Sequence, residues 1–128
     1  MKFAYTILYV QDVESTLNFY IKAFGCTLRF LDETKAYGEL ETGGTTLAFA
    51  EESLAKINVG AFEKNNLSKN PAGFEIAFTT DNVQHAYEHA LDSGAQALQS
   101  PTQKPWGQLV AYVLDINGII IEICSPLS

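Results

Sequence analysis

Two stretches of the chain switch from strand-like to helical spacing in the same way. Residues 5–10, YTILYV, are β-branched and aromatic and read as a strand. Asp12 then stands as a helix cap, Val13, Leu17, Tyr20, Ile21 and Phe24 recur at helical spacing, and Gly25 ends the run. Residues 74–80, FEIAFTT, form a second strand-like run. Asp81 follows as a cap, then the stripe Val83, Ala86, Tyr87, Ala90 and Leu91, and then Gly94 as a stop. An offset of 70 residues lays Val13 on Val83 and Tyr5 on Glu75. The ends of the two halves match as well. Residues 42–50, TGGTTLAFA, fall on residues 116–124, INGIIIEIC, at an offset of 74, so that Ala48 pairs with Glu122.

Each half leaves room for two further strands, at about 27–32 and 37–42 in the first and about 96–99 and 108–114 in the second. The chain therefore reads as βαβββ twice, an α+β fold built from an internal repeat. Module one covers about 1–52 and module two about 73–128 of a single domain spanning 1–128. The intervening segment, about 53–72, holds Gly60, Asn65, Asn66, Asn70 and Pro71 and reads as a linker with room for one short helix.

Alternation assigns faces, because successive strand residues point to opposite sides. Phe74, Ile76 and Phe78 point one way, and Glu75, Ala77 and Thr79 the other. In the last strand Ile119, Ile121 and Ile123 oppose Ile120, Glu122 and Cys124. The greasier set belongs under the helix. The mixed set, with Tyr5, Ile7, Tyr9 and Ala48 from the first half, belongs to a concave face, and curved mixed sheets around a cup are expected.

Composition narrows the partners. The chain has 128 residues, 47% hydrophobic, which suits one globular domain. Fifteen acids against eight bases give a net charge of −7, with no basic block, so nucleic acid and anionic membranes are poor partners. Cys26 and Cys124 are far apart, lie among apolar residues and form no metal-binding spacing. They read as free thiols of a cytoplasmic protein. The opening MKFAYTILYV is too short to span a bilayer, and no small-residue cleavage site follows it.

The doubled βαβββ plan, the opening TILYVQDVESTLNFY and the closing KPWGQLVAYVLDINGIIIEICSP make the chain similar to the vicinal oxygen chelate superfamily. That group includes glyoxalase I, bleomycin-resistance proteins and extradiol dioxygenases. The resemblance covers essentially the whole chain and includes the turn Asp115-Ile116-Asn117-Gly118 before a Glu-bearing last strand. It implies the fold, a small-molecule ligand and a homodimer, and leaves open whether modules pair within a chain or between chains. Metal-dependent glyoxalases of this superfamily place ligands on the first and last strand of each module. Carried over by position, those sites are Tyr5, Ala48, Glu75 and Glu122. The family pattern there is His or Gln, Glu, His and Glu, so only Glu122 matches in type. Ala48 has no donor, and two carboxylates alone hold a transition metal poorly. The cofactor is therefore either none or a divalent metal held by Glu75 and Glu122. A dioxygenase needs two His and a carboxylate, and the matching positions carry no His.

Glu75 and Glu122 are the candidate catalytic or metal-binding residues. Two carboxylates on one concave face can move a proton or hold a cationic ligand; equally, they can be structural acids satisfied by amides or tyrosines. Tyr5 and Tyr9 are candidate ligand contacts, as is Trp106 in the loop Lys104-Pro105-Trp106-Gly107. Glu39 and Glu41 share one face of their strand, and if it is the cup, one of them can stand in for the ligand missing at Ala48. His85 and His89, four apart on a helix but off its apolar stripe, read as a solvated face. Two functions compete. One is a small-molecule binder of the bleomycin-resistance type with a degenerate metal site. The other is a glyoxalase-like isomerase or lyase acting on a hemithioacetal or related oxygenated substrate.

Overall fold

The computed structural model describes residues 1–127. The chain forms two compact units, Met1–Asn65 and a second beginning at Asn66. Unit one runs β1 (Tyr5–Val10), α1 (Val13–Phe24), β2 (Thr27–Leu31), β3 (Tyr37–Glu41), β4 (Thr46–Glu51) and α2 (Glu52–Val59). Unit two runs β5 (Glu75–Thr79), α3 (Val83–Asp92), β6 (Gln96–Gln103), β7 (Leu109–Leu114) and β8 (Ile120–Cys124). Each unit holds a four-stranded mixed sheet, ordered β1-β4-β3-β2 in one and β5-β8-β7-β6 in the other. This is the α+β, twice-βαβββ architecture that the periodicity predicts.

The repeat extends to strand register. Tyr5 faces Thr46 and Ile7 faces Ala48 across the parallel β1–β4 pair. Glu75 faces Ile120 and Ala77 faces Glu122 across β5–β8. The offsets of 70 and 74 residues convert one set of partners into the other. A one-residue slip in either sheet would turn its apolar face to water, so burial holds both registers.

In each unit one helix covers one face of the sheet. Helix α1 starts where Asp12 accepts a hydrogen bond from the Ser15 backbone N–H at 2.9 Å and ends at Gly25, φ 70°. It buries Val13, Thr16, Leu17, Phe19, Tyr20 and Ala23, so Phe19 and Ala23 take up core positions ahead of Ile21 and Phe24. The fully buried Tyr20 ring meets Phe49 of β4 at 4.9 Å between centroids. Full burial of side chains of this size contributes about 1.5–3 kcal/mol each. Gly38 is required beneath α1, because a Cβ there would lie 2.5 Å from Leu17 Cδ1. In unit two Val83, Tyr87 and Ala90 of α3 are buried on the face that carries Ala111, Val113, Ile121 and Ile123.

Two local expectations are corrected. The cap of α3 is Asn82, whose Oδ1 accepts from the His85 backbone N–H at 3.0 Å, rather than Asp81. Strand β6 is longer than 96–99 and runs through Pro101 to Gln103, with register shifts at Ala97/Gln99 and Gln99/Thr102. It is an edge strand, where bulges and a proline without an N–H cost no ladder partner. The segment after β4 begins with the one short helix for which the linker has room, α2, and its remainder is loop.

The turn before β8 follows from its residues. Asp115 is buried, and its Oδ1 accepts from the backbone N–H of Asn117 at 2.7 Å and of Ile119 at 2.9 Å. Gly118 has φ 85°, and a Cβ on it would lie 2.8 Å from the Asn66 carbonyl oxygen. The Asp-x-x-Gly sequence therefore both closes the turn and lets the start of unit two pass against it.

Candidate functional site

The helix-free face of sheet two carries a cluster from three strands. Glu75 and Ala77 of β5, Glu122 and Cys124 of β8 and Tyr112 of β7 share it by register. The Glu75 and Glu122 carboxyls are hydrogen-bonded to each other. Burial pushes the Glu75 pKa above its ordinary 4.5, and the Glu122 charge and the shared hydrogen bond add to it. Tyr112 lies directly opposite Glu122, and its hydroxyl donates to Glu122 Oε1 at 3.0 Å. Burial and the Glu122 hydrogen bond raise that phenol to about 12. Cys124 is raised to about 11, first by burial and then by its hydrogen bond to Glu122. Both groups stay protonated at neutral pH. The Cys124 thiol also lies 3.7 Å from the Phe78 carbonyl, an inert rather than nucleophilic setting.

Sheet one presents a related cluster with its residue types exchanged. Tyr5 stands where sheet two has Glu75, and Ala48 where it has Glu122. The carboxylate has moved one strand over. Glu39 of β3 lies directly opposite Ala48, the place Tyr112 takes opposite Glu122. Glu39 does not act as a free ligand there. Its Oε2 accepts from the Tyr37 hydroxyl at 2.7 Å, and its Oε1 lies 3.4 Å from Arg29 Nε. Arg29 also reaches Glu41 at 3.5 Å. Burial, together with the Glu39 hydrogen bond, holds the Tyr37 phenol well above its ordinary range.

The remaining candidates fall in different places. Tyr5 is 54% exposed on the helix-free face of sheet one. Tyr9, on the same face, is half-buried, with its ring 4.9 Å from that of Phe62, and its carbonyl accepts from Asn65 Nδ2 at 2.9 Å. Trp106 is 64% exposed in the β6–β7 turn, where its indole N–H donates to Gln108 Oε1 at 2.7 Å. Glu75 and Glu122 are thus brought together, while Tyr5 and Tyr9 belong to the other unit's sheet and Trp106 to a hairpin turn. His85 and His89 are exposed on α3, with near-parallel rings 6.4 Å apart. Alternation singles out Glu39, with Glu41, as a stand-in for the donor missing at Ala48, and register puts Glu39 opposite Ala48. Tyr112 is the residue that sequence reasoning does not single out, and a Tyr in the strand preceding the last one is its sequence signal.

The donor set does not fit the divalent metal of the metal-dependent glyoxalases. Among the described residues no group of three His, Cys, Asp or Glu side chains converges to hold a metal ion. Register brings two carboxyls, Glu75 and Glu122, to this face beside Tyr112 and Cys124, which remain protonated, and two carboxylates without an imidazole hold a transition metal poorly.

Known proteins place this geometry. The family model of the glyoxalase-like domain matches residues 3–128. The uncharacterized protein YraH of Bacillus subtilis is 26% identical over 129 residues, covering 99% of this chain and 100% of its own. A crystal structure of a glyoxalase-related enzyme from Fulvimarina pelagi superposes with a TM-score of 0.84 at 24% identity, over 98% of this chain and 88% of that one. A glyoxalase/bleomycin resistance protein/dioxygenase family enzyme from Burkholderia phytofirmans does so at 0.80 and 19% identity, over 98% of each chain. At these identities the two structures speak for the fold. The chain belongs to the glyoxalase-like domain family, within the vicinal oxygen chelate superfamily.

Proposed function

We propose that this protein binds a small molecule on the face that carries Glu75 and Glu122, at a metal position that has degenerated. The observation that carries the reading is the hydrogen-bonded pair of carboxyls on one sheet face. Two acids set side by side suit a protonated amine, which offsets their mutual repulsion, or a neutral polar donor. Ala77 and Thr79 are exposed beside the pair and leave room above it. Tyr112 and Cys124 are hydrogen-bonded to Glu122 and orient its carboxyl.

Trp106, in the same unit as the pair, is a further proposed contact of the ligand. Tyr5, Ile7 and Phe30 are each more than 40% exposed in the single chain, which supports a homodimer in which a second copy covers this surface. The net charge of −7 supports a small molecule over nucleic acid, and two free thiols support a cytoplasmic setting. No helix among the described residues is long and apolar enough to cross a membrane.

A lyase or isomerase reaction on a hemithioacetal or related oxygenated substrate is a second reading, and the raised Glu75 pKa favours it. A carboxylate tuned upward is a better general base near neutral pH than an ordinary one. Equilibrium dialysis against a panel of aliphatic and aromatic amines, followed by a turnover assay with hemithioacetals, separates the two. Saturable amine binding that Glu122→Gln abolishes, without turnover, is the expected result. Turnover lost in Glu75→Gln would replace the binder with the enzyme. Absence of both from the wild-type protein would sink both readings.

A further inference from the structure

Unit one contains a cavity of about 440 Å³ that none of the residues discussed so far uses. It lies between the start of α2, the loop from Gly60 to Lys64 and the end of β1 at Gln11. Its volume falls within the range of small-molecule pockets, roughly 300–1,000 Å³, and is far larger than an inorganic ion needs.

The loop that walls it is tethered rather than loose. Gly60, at φ 87°, turns the chain out of α2. Phe62 is then packed against the Tyr9 ring at 4.9 Å, and Asn65 Nδ2 is hydrogen-bonded to the Tyr9 carbonyl at 2.9 Å. The apolar wall is therefore in place before any ligand arrives, which lowers the cost of ordering on binding.

The charges lining the cavity are unequally engaged. Glu51 accepts the Ser53 hydroxyl, and Glu52 lies 3.9 Å from Lys64 Nζ, a loose ion pair. Lys35, in the small hollow that shares Gln11 and Glu51 with this cavity, is paired with Glu14 at 3.3 Å. Lys56 lines the cavity, and its ammonium makes no hydrogen bond or ion pair with any described residue. Two lysines against two glutamates leave the lining with no net charge, so a dianion would meet as much repulsion as attraction. A monoanion can take the unpaired ammonium and lay an apolar body on Phe62.

We propose that this cavity is a second binding site, distinct from the Glu75–Glu122 face, for a monocarboxylate with an aromatic or aliphatic body. Lys56 receives the carboxylate and Phe62 the body, with Lys64 and Gln11 as further polar contacts. The site lies wholly within unit one, so it does not depend on the ligand proposed for sheet two.

The test is a ¹H–¹⁵N NMR titration of the full chain with 3-phenylpropionate, with 3-phenyl-1-propanol and with inorganic phosphate. Saturable shifts confined to residues 51–64 and Gln11 are expected with the acid, and weaker binding with the alcohol and phosphate. Lys56→Gln should weaken the acid by about three- to fivefold, the scale of a part-exposed ion pair, and Lys56→Arg should restore it. Glu122→Gln should bind the acid like wild type, so failure of the sheet-two reading leaves this outcome unchanged. The proposal is overturned by an alcohol that binds as tightly as the acid, by phosphate binding more tightly than either, or by shifts mapping elsewhere. Affinity unchanged in a well-dispersed Lys56→Gln spectrum would overturn it too.

Discussion

Tyr112 stands directly across the β7–β8 ladder from Glu122, and its hydroxyl donates to Glu122 Oε1 at 3.0 Å. Cross-strand partners on one sheet face are close enough to orient each other. Glu122 is thus anchored from one side and hydrogen-bonded to Glu75 on the other. Tyr112→Phe should cost about 0.5–1.5 kcal/mol in urea unfolding, the net worth of one such hydrogen bond. A double-mutant cycle with Glu122→Gln should give a non-zero coupling, and additive single effects would show that the two groups do not act together.

Glu75 gives the fold a definite pH dependence. Its pKa is higher in the folded chain than the ordinary 4.5, so the native state holds the proton more tightly than the unfolded one. The associated stability is fully present below pH 4.5 and is lost as the pH rises through the raised value. Glu75→Gln removes the carboxylate that repels Glu122. Its melting temperature should therefore exceed that of wild type at pH 7.5 and approach it at pH 4.5. Glu75 is exposed to solvent, which screens the repulsion to about 1 kcal/mol or less. A variant less stable than wild type at pH 7.5 would contradict this account.

Asp115 is buried and accepts two backbone N–H bonds. Asp115→Ala strands both donors, and a cost of about 2–3 kcal/mol is expected in denaturant unfolding, with Asp115→Asn losing less. Backbone amide exchange at Asn117 and Ile119 should accelerate in the alanine variant.

Gly118→Ala tests the same turn sterically. The backbone at φ 85° strains any side chain, and the Cβ would meet the Asn66 carbonyl at 2.8 Å, an obstacle made of backbone. A loss of about 2–4 kcal/mol is expected from the two effects together. Gly44→Ala, where no atom lies within 4 Å of a built Cβ, serves as the control and should change stability little.

The donor set around Glu75 and Glu122 predicts the response to metals. Thermal unfolding at neutral pH should be the same with and without EDTA, and equimolar zinc should not raise the midpoint. A zinc-dependent rise lost in Glu122→Gln would overturn the conclusion that these carboxyls do not suit a transition metal.

The order of elements, the repeat and the faces were legible in the chain itself, because side-chain direction in a strand depends only on parity. Glu75 and Glu122 could be put on matching faces of their strands without knowing which strands pair. Local chemistry was legible for the same reason at Asp12 and Gly25, where cap and residue are neighbours in sequence. The choice of Asn82 over Asp81 shows its limit, since two adjacent residues were both competent and backbone geometry selected one. What tertiary structure alone decided was lateral. The Glu75–Glu122 hydrogen bond exists because β5 pairs in parallel with β8, a strand that comes much later in the chain. Tyr112 faces Glu122, and Glu39 faces Ala48, only through the registers of β7 and β3. Cross-strand register depends on turns, bulges and the packing of a whole face, none of which is encoded at the residue that ends up as the partner.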